Sequence, residues 1–219
     1  MNDSDPKPLS HDSVVARVIG LAGSLRSGSA TQLAVRYALL GAEKHGAQTQ
    51  LLDIASYDLP FLGREKEPKG RTAVERFLGD IRAADGIVLG SPEIHGSLSG
   101  VLKNALDLTE RHEFEGKMLG LIGVAGGQMG ASETLSHLRA IARSLHAWVV
   151  PAQVSIGGAD KAFNSGGEPV DAGLRDRLLS VGSQVARFAW LHKCENHLQF
   201  VREWEVAATD DEKPHEVPS

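Results

Sequence analysis

The fold is decided by a short stretch near the N-terminus of the chain, VVARVIGLAGSLRSGSATQLA (residues 14–34). It opens with a β-branched apolar run, residues 14–22, which is typical of a buried strand. A turn rich in glycine and hydroxyl residues follows, and apolar residues then recur at helical spacing at Leu33, Tyr37 and Leu40. The stretch therefore predicts a strand, a tight loop and a helix in succession, which is the repeating unit of an α/β protein.

The same alternation continues to the end of the apolar part of the chain. Further strand-like runs cover residues 48–54, 86–90, 118–125 and 148–156, and helical patterns lie between and after them. Five strands that alternate with five helices predict a doubly wound parallel sheet with helices on both faces. We expect the strand order 2-1-3-4-5, because the crossovers between parallel strands are right-handed.

Length and composition bound the domain organisation. A chain of 219 residues is long enough for one α/β domain, which we place at residues 14–193. Residues 1–13 are polar without periodicity and predict a flexible tail. Residues 194–219 predict an extension that is partly packed and then disordered. Its apolar residues fold back on the domain or reach a neighbouring subunit, and they are Leu198, Phe200, Val201, Trp204 and Val206.

Charge and cysteine content limit the partners and the compartment. The formal net charge of -5 gives no strong field for nucleic acid or an anionic membrane, so neither partner is expected. Cys194 is the single cysteine and has no partner for an internal disulfide, which favours a reducing compartment. The polar N-terminus lacks the features of a signal peptide, and no apolar run is long enough to span a membrane. We therefore expect a cytoplasmic protein.

Three glycine-rich loops follow strands of the predicted sheet. They are GSLRSGSAT (23–31), SPEIHGS (91–97) and AGGQMG (125–130), here called loops one, two and three. Each alone is compatible with an ordinary turn, because glycine readily adopts positive φ. All three follow the carboxyl ends of strands, where ligands bind in open α/β sheets. Together they predict a ligand site.

Loop one has the composition of a phosphate site. It fits G-x-x-x-x-G but lacks the lysine of a nucleoside-triphosphate loop, and it does not contain G-x-G-x-x-G. The start of the helix, the Arg26 guanidinium and nearby hydroxyls suit a smaller anion such as a phosphate monoester. The hydroxyls are those of Ser24, Ser27, Ser29 and Thr31. Alternatively, Ser29 or Thr31 only caps the helix and Arg26 is solvated.

Loop two suits a flat ligand better than a catalytic dyad. Pro92 stiffens the turn, and Gly96 lets the backbone approach a ring. His95 either donates to or stacks beside such a ring, or is an exposed or core-satisfied histidine without a ligand role. Ser91 lacks the G-x-S-x-G context of a nucleophile. The acidic and histidine residues have no metal-ligand spacing. We therefore name no catalytic acid, base, nucleophile or metal ligand.

Two stretches of the chain resemble the signature stretches of the NADPH-dependent FMN reductases, a flavodoxin-like group that includes chromate, azo-dye and quinone reductases. GSLRSGSATQLA resembles G-S-x-R-x-x-S-x-N-x-x-L-A, and SPEIHGSLSGVLKNALD resembles S-P-E-Y-x-x-S-x-x-G-x-L-K-N-A-L-D. Thr31 stands where the family usually has asparagine, and Ile94 where it commonly has tyrosine. The resemblance covers residues 14 to about 190 and implies a flavodoxin-like fold.

The resemblance also implies a set of site residues. The FMN phosphate would be held by Ser24, Arg26, Ser29, Thr31 and Gln32. The isoalloxazine ring would lie along Pro92, Glu93, Ile94, His95, Gly96 and Ser97, and its other edge would be closed by Gly126, Gly127 and Gln128. Family members use NADPH or NADH as electron donor and form dimers or tetramers. Arg64, Lys66 and Lys69 either contact a 2′-phosphate or are solvated surface charges.

The implied activity is hydride transfer from NAD(P)H to bound FMN, followed by electron transfer to a small acceptor. Quinones, free flavin, azo or nitro compounds, chromate and oxygen are the acceptor classes. The cofactor carries this chemistry, so few side chains are needed for it. The alternatives are a flavodoxin-type electron carrier with little NAD(P)H activity, a binding or signalling module without redox function, and a hydrolase. The carriers are usually much more acidic than this chain.

Overall fold

The computed structural model describes residues 15–64 and 67–193. The strands are β1 (Arg17–Ala22), β2 (Gln48–Leu52), β3 (Gly86–Ile94), β4 (Ser97–Leu98), β5 (Met118–Val124) and β6 (Trp148–Ile156). The helices are α1 (Ala30–Glu43), α2 (Pro68–Arg82), α3 (Gly100–Asp107), α4 (Arg111–Phe114), α5 (Ser132–Ser144) and α6 (Ala172–Lys193). A short 3-10 helix, Ile54–Tyr57, follows β2.

The long strands form a parallel sheet in the order β2-β1-β3-β5-β6. Counted without the two-residue β4, this is the predicted order 2-1-3-4-5, and the flavodoxin-like fold class is confirmed. β6 lies at an edge of the sheet, and its register with β5 shifts between Leu119 and Leu121. Pro151 is tolerated in β6 because an edge strand need not donate every backbone hydrogen bond.

Apolar side chains cover both faces of the sheet. Along β1, Val18 belongs to one core cluster with α1 and α6, while Ile19 belongs to a second cluster with α2, α3 and α5. This alternation follows from the two-residue period of a strand. The prediction of helices on both faces is therefore confirmed, and the carboxyl edge of the sheet is left free to carry loops.

The helix that begins at loop one is fixed by close packing against α6. A Cβ added to Gly182 of α6 would lie 1.6 Å from the carbonyl oxygen of Ala38, and one added to Gly41 of α1 would lie 2.0 Å from that of Leu179. The two glycines therefore let the helix backbones touch. Ser183 Oγ also donates a hydrogen bond to the Gly41 carbonyl oxygen at 3.2 Å. The N-terminal end of α1 consequently has a fixed position over the sheet.

The structure corrects several predicted boundaries. The third strand, predicted at 86–90, extends through Ile94, so most of loop two is strand. β3 pairs with β4 in an antiparallel hairpin, and His95 and Gly96 form its turn with φ of 51° and 73°. Two positive φ angles are characteristic of a type I′ turn, whose twist suits a hairpin. The second strand, predicted at 48–54, ends at Leu52, because the chain turns into the 3-10 helix that begins at Ile54.

The two predicted terminal segments, residues 1–13 and 194–219, lie outside the described residues. Within the described part, no helix has the length and apolar character that crossing a membrane requires. The same residues contain no group of three or more histidine, cysteine, aspartate or glutamate side chains arranged to hold a metal ion.

Candidate functional site at the carboxyl edge of the sheet

Loop one folds over the N-terminal end of α1. Ser29 is the N-cap residue, and its Oγ accepts a hydrogen bond from the Gln32 backbone N–H at 3.3 Å. Gln32 Oε1 accepts in turn from the Gly28 N–H at 2.9 Å, and its Nε2 lies 3.5 Å from the Ser24 carbonyl oxygen. Capping by Ser29, the alternative considered from the sequence, is therefore present. It leaves the Ser29 hydroxyl hydrogen available to a ligand.

The end of α1 is suited to an anion. Within the described residues, the backbone N–H groups of Ala30 and Thr31 have no hydrogen-bond partner, as expected for the first turn of a helix. That turn contains no acidic residue. Arg26 is exposed and forms no side-chain hydrogen bond or ion pair in the described part of the chain. Thr31 is 2% exposed, and its side chain packs α1 against Gly90 of β3.

Loop one is joined to the strands and helices that carry loop two. The Gly23 N–H donates to the Gly90 carbonyl oxygen at 2.8 Å. Ser99, the N-cap of α3, donates from Oγ to the Gly23 carbonyl oxygen at 2.7 Å. A Cβ on Gly23 would lie 2.7 Å from both Ser99 Oγ and Leu102 Cβ, so only glycine fits here without movement. The two loops therefore have a fixed separation.

The hairpin of loop two is attached to α5 on its other side. Glu93 Oε2 accepts a hydrogen bond from the Thr134 N–H at 3.1 Å, in the first turn of α5. A hydrogen bond of 3.0 Å joins Ser97 Oγ to His137 Nδ1. The carboxylate of Glu93 thus interacts with the positive end of the α5 dipole. Of the residues expected to flank a ring, His95 and Gly96 form the exposed turn.

Loop three is open at its tip and held at its base. The Gly127 carbonyl oxygen accepts from the Gly158 N–H at 3.0 Å, and the Ala131 N–H donates to Ser155 Oγ at 2.7 Å. Gly126 and Gly127 have free backbone N–H groups within the described part. A Cβ built on either glycine would meet no described atom within 4 Å. The loop therefore offers backbone donors beside open space.

Each of the three loops presents one large apolar side chain to solvent. Leu25 in loop one is 56% exposed, Ile94 in loop two 49%, and Met129 in loop three 95%. All three loops lie at the carboxyl ends of strands, where ligands bind in open α/β sheets. The structure thus brings all three predicted segments to the same edge, with backbone N–H donors at the start of α1 and in loop three, and one exposed apolar side chain in each loop.

Several residues that position this edge were not predicted from the sequence. Ser91 is fully buried, and its Oγ accepts from the Ser99 N–H at 2.9 Å, which makes it a structural residue rather than a nucleophile. The position of Ser99 before a helix is the pattern of an N-cap, so this part of its role was detectable. Its bond to Gly23 and the bond of His137 to loop two join distant parts of the chain and leave no local signal.

Several solved structures share this fold. The flavoenzyme NAD(P)H:(acceptor) oxidoreductase FerB from Paracoccus denitrificans superposes with a TM-score of 0.63 at 22% identity, over 79% of this chain and 98% of that one. An oxidoreductase from Corynebacterium diphtheriae gives 0.63 at 18% identity, over 80% and 97%. A flavodoxin from the domain Archaea gives 0.56 at 15% identity, over 79% and 98%.

Sequence similarity extends over the same region. The FMN-dependent NADPH-azoreductase of Staphylococcus aureus (strain USA300) is 37% identical over 149 residues, which are 66% of this chain and 79% of that protein. The family model described as NADPH-dependent FMN reductase matches residues 16–161, more than half of the chain. The match includes all three loops and confirms the family that the two signature stretches predicted. The chain belongs to the NADPH-dependent FMN reductase family.

Proposed function

We propose that the chain binds FMN across its three loops, takes a hydride from NADPH or NADH, and passes electrons to a small organic acceptor. Family membership makes it a flavin oxidoreductase that uses FMN and NAD(P)H. The observation that carries the detailed proposal is the pair of N–H groups at the start of α1 that have no partner among the described residues, close in sequence to Arg26 and in a helical turn without an acidic residue.

The residues present fit the phosphate end of FMN. A phosphate monoester carries close to two negative charges and accepts several hydrogen bonds. The N–H groups of Ala30 and Thr31, the Ser29 hydroxyl and the Arg26 guanidinium supply donors of the required kind around the α1 dipole. Ser24 and Gln32 hold the loop in shape through their mutual contact. No metal ion is needed for this recognition.

Loops two and three fit the ring of the cofactor. The hairpin of loop two would lie along one face with Ile94, and the free N–H groups of Gly126 and Gly127 would donate at the ring edge. We assign Pro92, Glu93, His95, Ser97 and Gln128 to the same surface, as the family resemblance implies. Because Glu93 is committed to α5, its role is to position the hairpin.

The chain's own residues contribute orientation and electrostatics to the reaction. When bound, FMN supplies the redox chemistry, because the flavin can accept a hydride and release electrons. The backbone donors of loop three would stabilise negative charge at the edge of a bound ring with little movement, because Gly158 and Ser155 hold the base of that loop. The exposed apolar side chains leave one side open to flat molecules. Donor and acceptor would therefore use the same face in turn, which predicts ping-pong kinetics.

An aromatic acceptor is favoured, with azo compounds and quinones first. The 37% identical relative is named an azoreductase, and the apolar side chains at the site suit ring stacking. An electron carrier of the flavodoxin type is the second candidate, since such a protein shares the fold. The modest net charge favours the reductase over the carrier.

Anaerobic reduction of the purified protein distinguishes these functions. We expect flavin absorbance in the protein as isolated or after loading with FMN, and rapid bleaching by NADPH. Slow bleaching by NADPH with rapid bleaching by dithionite would assign the carrier function. A protein that cannot be loaded with FMN would contradict both functions, and re-oxidation of the bleached protein by an azo dye or a quinone identifies the acceptor class.

We also propose that the chain is a homo-oligomer and acts in the cytoplasm. The apolar residues predicted to contact a neighbouring subunit lie outside the described residues, so the family resemblance and the sequence carry this proposal. Light scattering of the full chain and of one that ends after Lys193 tests it. A monomeric full-length chain would contradict the proposed oligomer. If the full and shortened chains assemble with the same number of subunits, the assembly does not need the extension.

A further inference from the structure

A second cavity lies behind loop three, on the side away from loop two. It is an open cavity of about 330 Å³, lined by the end of β6, the segment that follows it and the start of α6. Gln128 of loop three lines it directly. Gly157 forms part of the wall, and a Cβ there would lie 2.8 Å from the Gln128 carbonyl oxygen. A molecule in this cavity would therefore touch the loop proposed to hold the flavin ring.

Two positive side chains line the cavity without a protein partner. Lys161 and Arg177 form no ion pair or side-chain hydrogen bond with any residue of the described ranges. A neighbouring cation on α6 is paired instead: Arg175 Nε lies 3.3 Å from Asp176 Oδ1. The two unpaired cations are therefore available to an anionic ligand.

The acidic residue of the cavity does not offset both cations. The Asp171 carboxylate accepts hydrogen bonds from the N–H groups of Gly173 at 3.2 Å and Leu174 at 2.8 Å. Its charge therefore interacts with the positive end of the α6 dipole. The rest of the lining is mixed, and apolar side chains of Ile156, Ala162, Val170 and Leu174 lie there beside the polar Gln128 and Ser155. An apolar wall beside cations suits an aromatic ring that carries a phosphate group.

We propose that this cavity binds the phosphorylated adenosine end of NADPH, with Lys161 and Arg177 contacting the 2′-phosphate. The proposal rests on the proposed function, because the nicotinamide must reach a flavin ring at loop three. Two of the cations that the sequence offered for the 2′-phosphate do not line this cavity. Arg64 pairs with Glu67 at 3.6 Å, and Lys69 lines a different cavity. Lys66 lies outside the described residues.

The size of the cavity and the position of Arg177 limit what it can bind. The match to the family model ends at residue 161, so Arg177 lies beyond it. The volume of the cavity is at the lower end of the range for small-molecule pockets, which suits one part of a dinucleotide rather than the whole molecule. Recognition of the 2′-phosphate there would determine the preference for NADPH over NADH.

Calorimetric titration of the FMN-loaded full chain tests this assignment without turnover. The probes are 2′,5′-ADP, which carries the 2′-phosphate, and 5′-AMP, which lacks it. We expect 2′,5′-ADP to bind at least about tenfold more tightly, because charge-assisted hydrogen bonds stabilise the bound phosphate. The double variant Lys161→Met with Arg177→Met should lose this preference. Arg175→Met, on the same helix but outside the cavity lining, should keep it.

Steady-state kinetics give an independent readout. In the double variant we expect the KM for NADPH to rise at least about tenfold, with unchanged kcat and an unchanged KM for NADH. A wild-type protein without preference for 2′,5′-ADP, or a double variant that keeps the preference, would overturn the proposal. A raised KM for a sulfonated azo dye with unaltered 2′,5′-ADP binding would overturn it as well and assign the cavity to the acceptor. FMN content and bleaching by NADH test the proposed function separately.

Discussion

Ser99 Oγ donates a hydrogen bond to the Gly23 carbonyl oxygen at 2.7 Å, although 76 positions separate the two residues in the chain. Ser99 Oγ also accepts a hydrogen bond from the Leu102 N–H at 3.2 Å and so caps α3. One buried hydroxyl thus sets the distance between the proposed phosphate loop and the helix that follows the proposed ring hairpin. The contact between Ser99 and Gly23 therefore contributes to the geometry of the proposed site.

Replacing this serine should destabilise the fold and weaken cofactor binding together. We expect Ser99→Ala to lower the free energy of unfolding by about 2–3 kcal/mol, because it leaves two buried backbone groups without partners. FMN affinity should also fall as loop one loses its fixed position. Denaturant unfolding of the FMN-free protein and fluorescence titration with FMN measure the two effects.

A serine on α5 provides the control. Ser136 is exposed, and its Oγ donates to the Ser132 carbonyl oxygen within the helix. Ser136→Ala should change the free energy of unfolding by less than about 0.5 kcal/mol and leave FMN binding unchanged. Equal effects of the two substitutions would show that the contact between Ser99 and Gly23 has no special importance.

The contact of Glu93 with α5 makes a separate prediction. Glu93→Ala should lower the free energy of unfolding by about 1–2 kcal/mol, because it removes an acceptor and a negative charge from the N-terminal end of α5. Glu93→Gln keeps the acceptor and should cost about half as much. Glu75→Ala, on the exposed surface of α2, is the control. Indistinguishable unfolding curves for all three variants and the wild type would show that the hydrogen bond from the Thr134 N–H to Glu93 does not stabilise the protein.

Lys117 predicts how stability depends on pH. Its Nζ donates to the carbonyl oxygens of Ile81 at 2.6 Å, Arg82 at 3.0 Å and Ala84 at 2.6 Å. Burial lowers the pKa of Lys117 from 10.5 to about 8, and the charges of Asp85 and Glu113 oppose this shift. Between these two pH values the unfolded chain holds a proton that the folded protein has released, so unfolding takes up a proton. The contribution of Lys117 to stability therefore rises with pH in this window.

Comparison with Lys117→Met tests this sign. The difference in the free energy of unfolding between wild type and variant should grow from pH 8 to pH 10.5 and be constant at lower pH. Lys44→Met, which removes an exposed lysine at the end of α1, controls for the loss of one positive charge. A difference that shrinks as the pH rises through this window would contradict the lowered pKa.

The strand order could be predicted because every central strand is a continuous apolar run followed by a helical pattern. Residues 148–156 of the last strand agree with the structure at both ends, even with Pro151 inside. The end of β3 could not be predicted, since Pro92 and the glycine that follows His95 are turn-forming residues in a local reading. Pairing with Leu98 overrides that tendency and extends the strand.

The composition of the loops predicted where a ligand site should lie, but not how the loops are connected. Glycine and serine indicate turns and caps, which are local properties. The bonds from Ser99 to Gly23 and from Glu93 to Thr134 depend on segments that the fold brings together. The cavity with Lys161 and Arg177 was not predicted for the same reason, because the two cations lie on different segments and fit no motif.

Recognition of the FMN phosphate at the N-terminal end of α1 is the central claim, and the most direct measurement is the ratio of FMN to riboflavin affinity in wild type and in Arg26→Ala. Riboflavin lacks the phosphate. We predict that Arg26→Ala weakens FMN binding by about 1.5–3 kcal/mol, roughly tenfold to a hundredfold, and leaves riboflavin binding unchanged. Arg36→Ala, further along α1, should preserve the wild-type ratio. If Arg26→Ala weakened both ligands equally, or neither, the phosphate would not be bound at this loop.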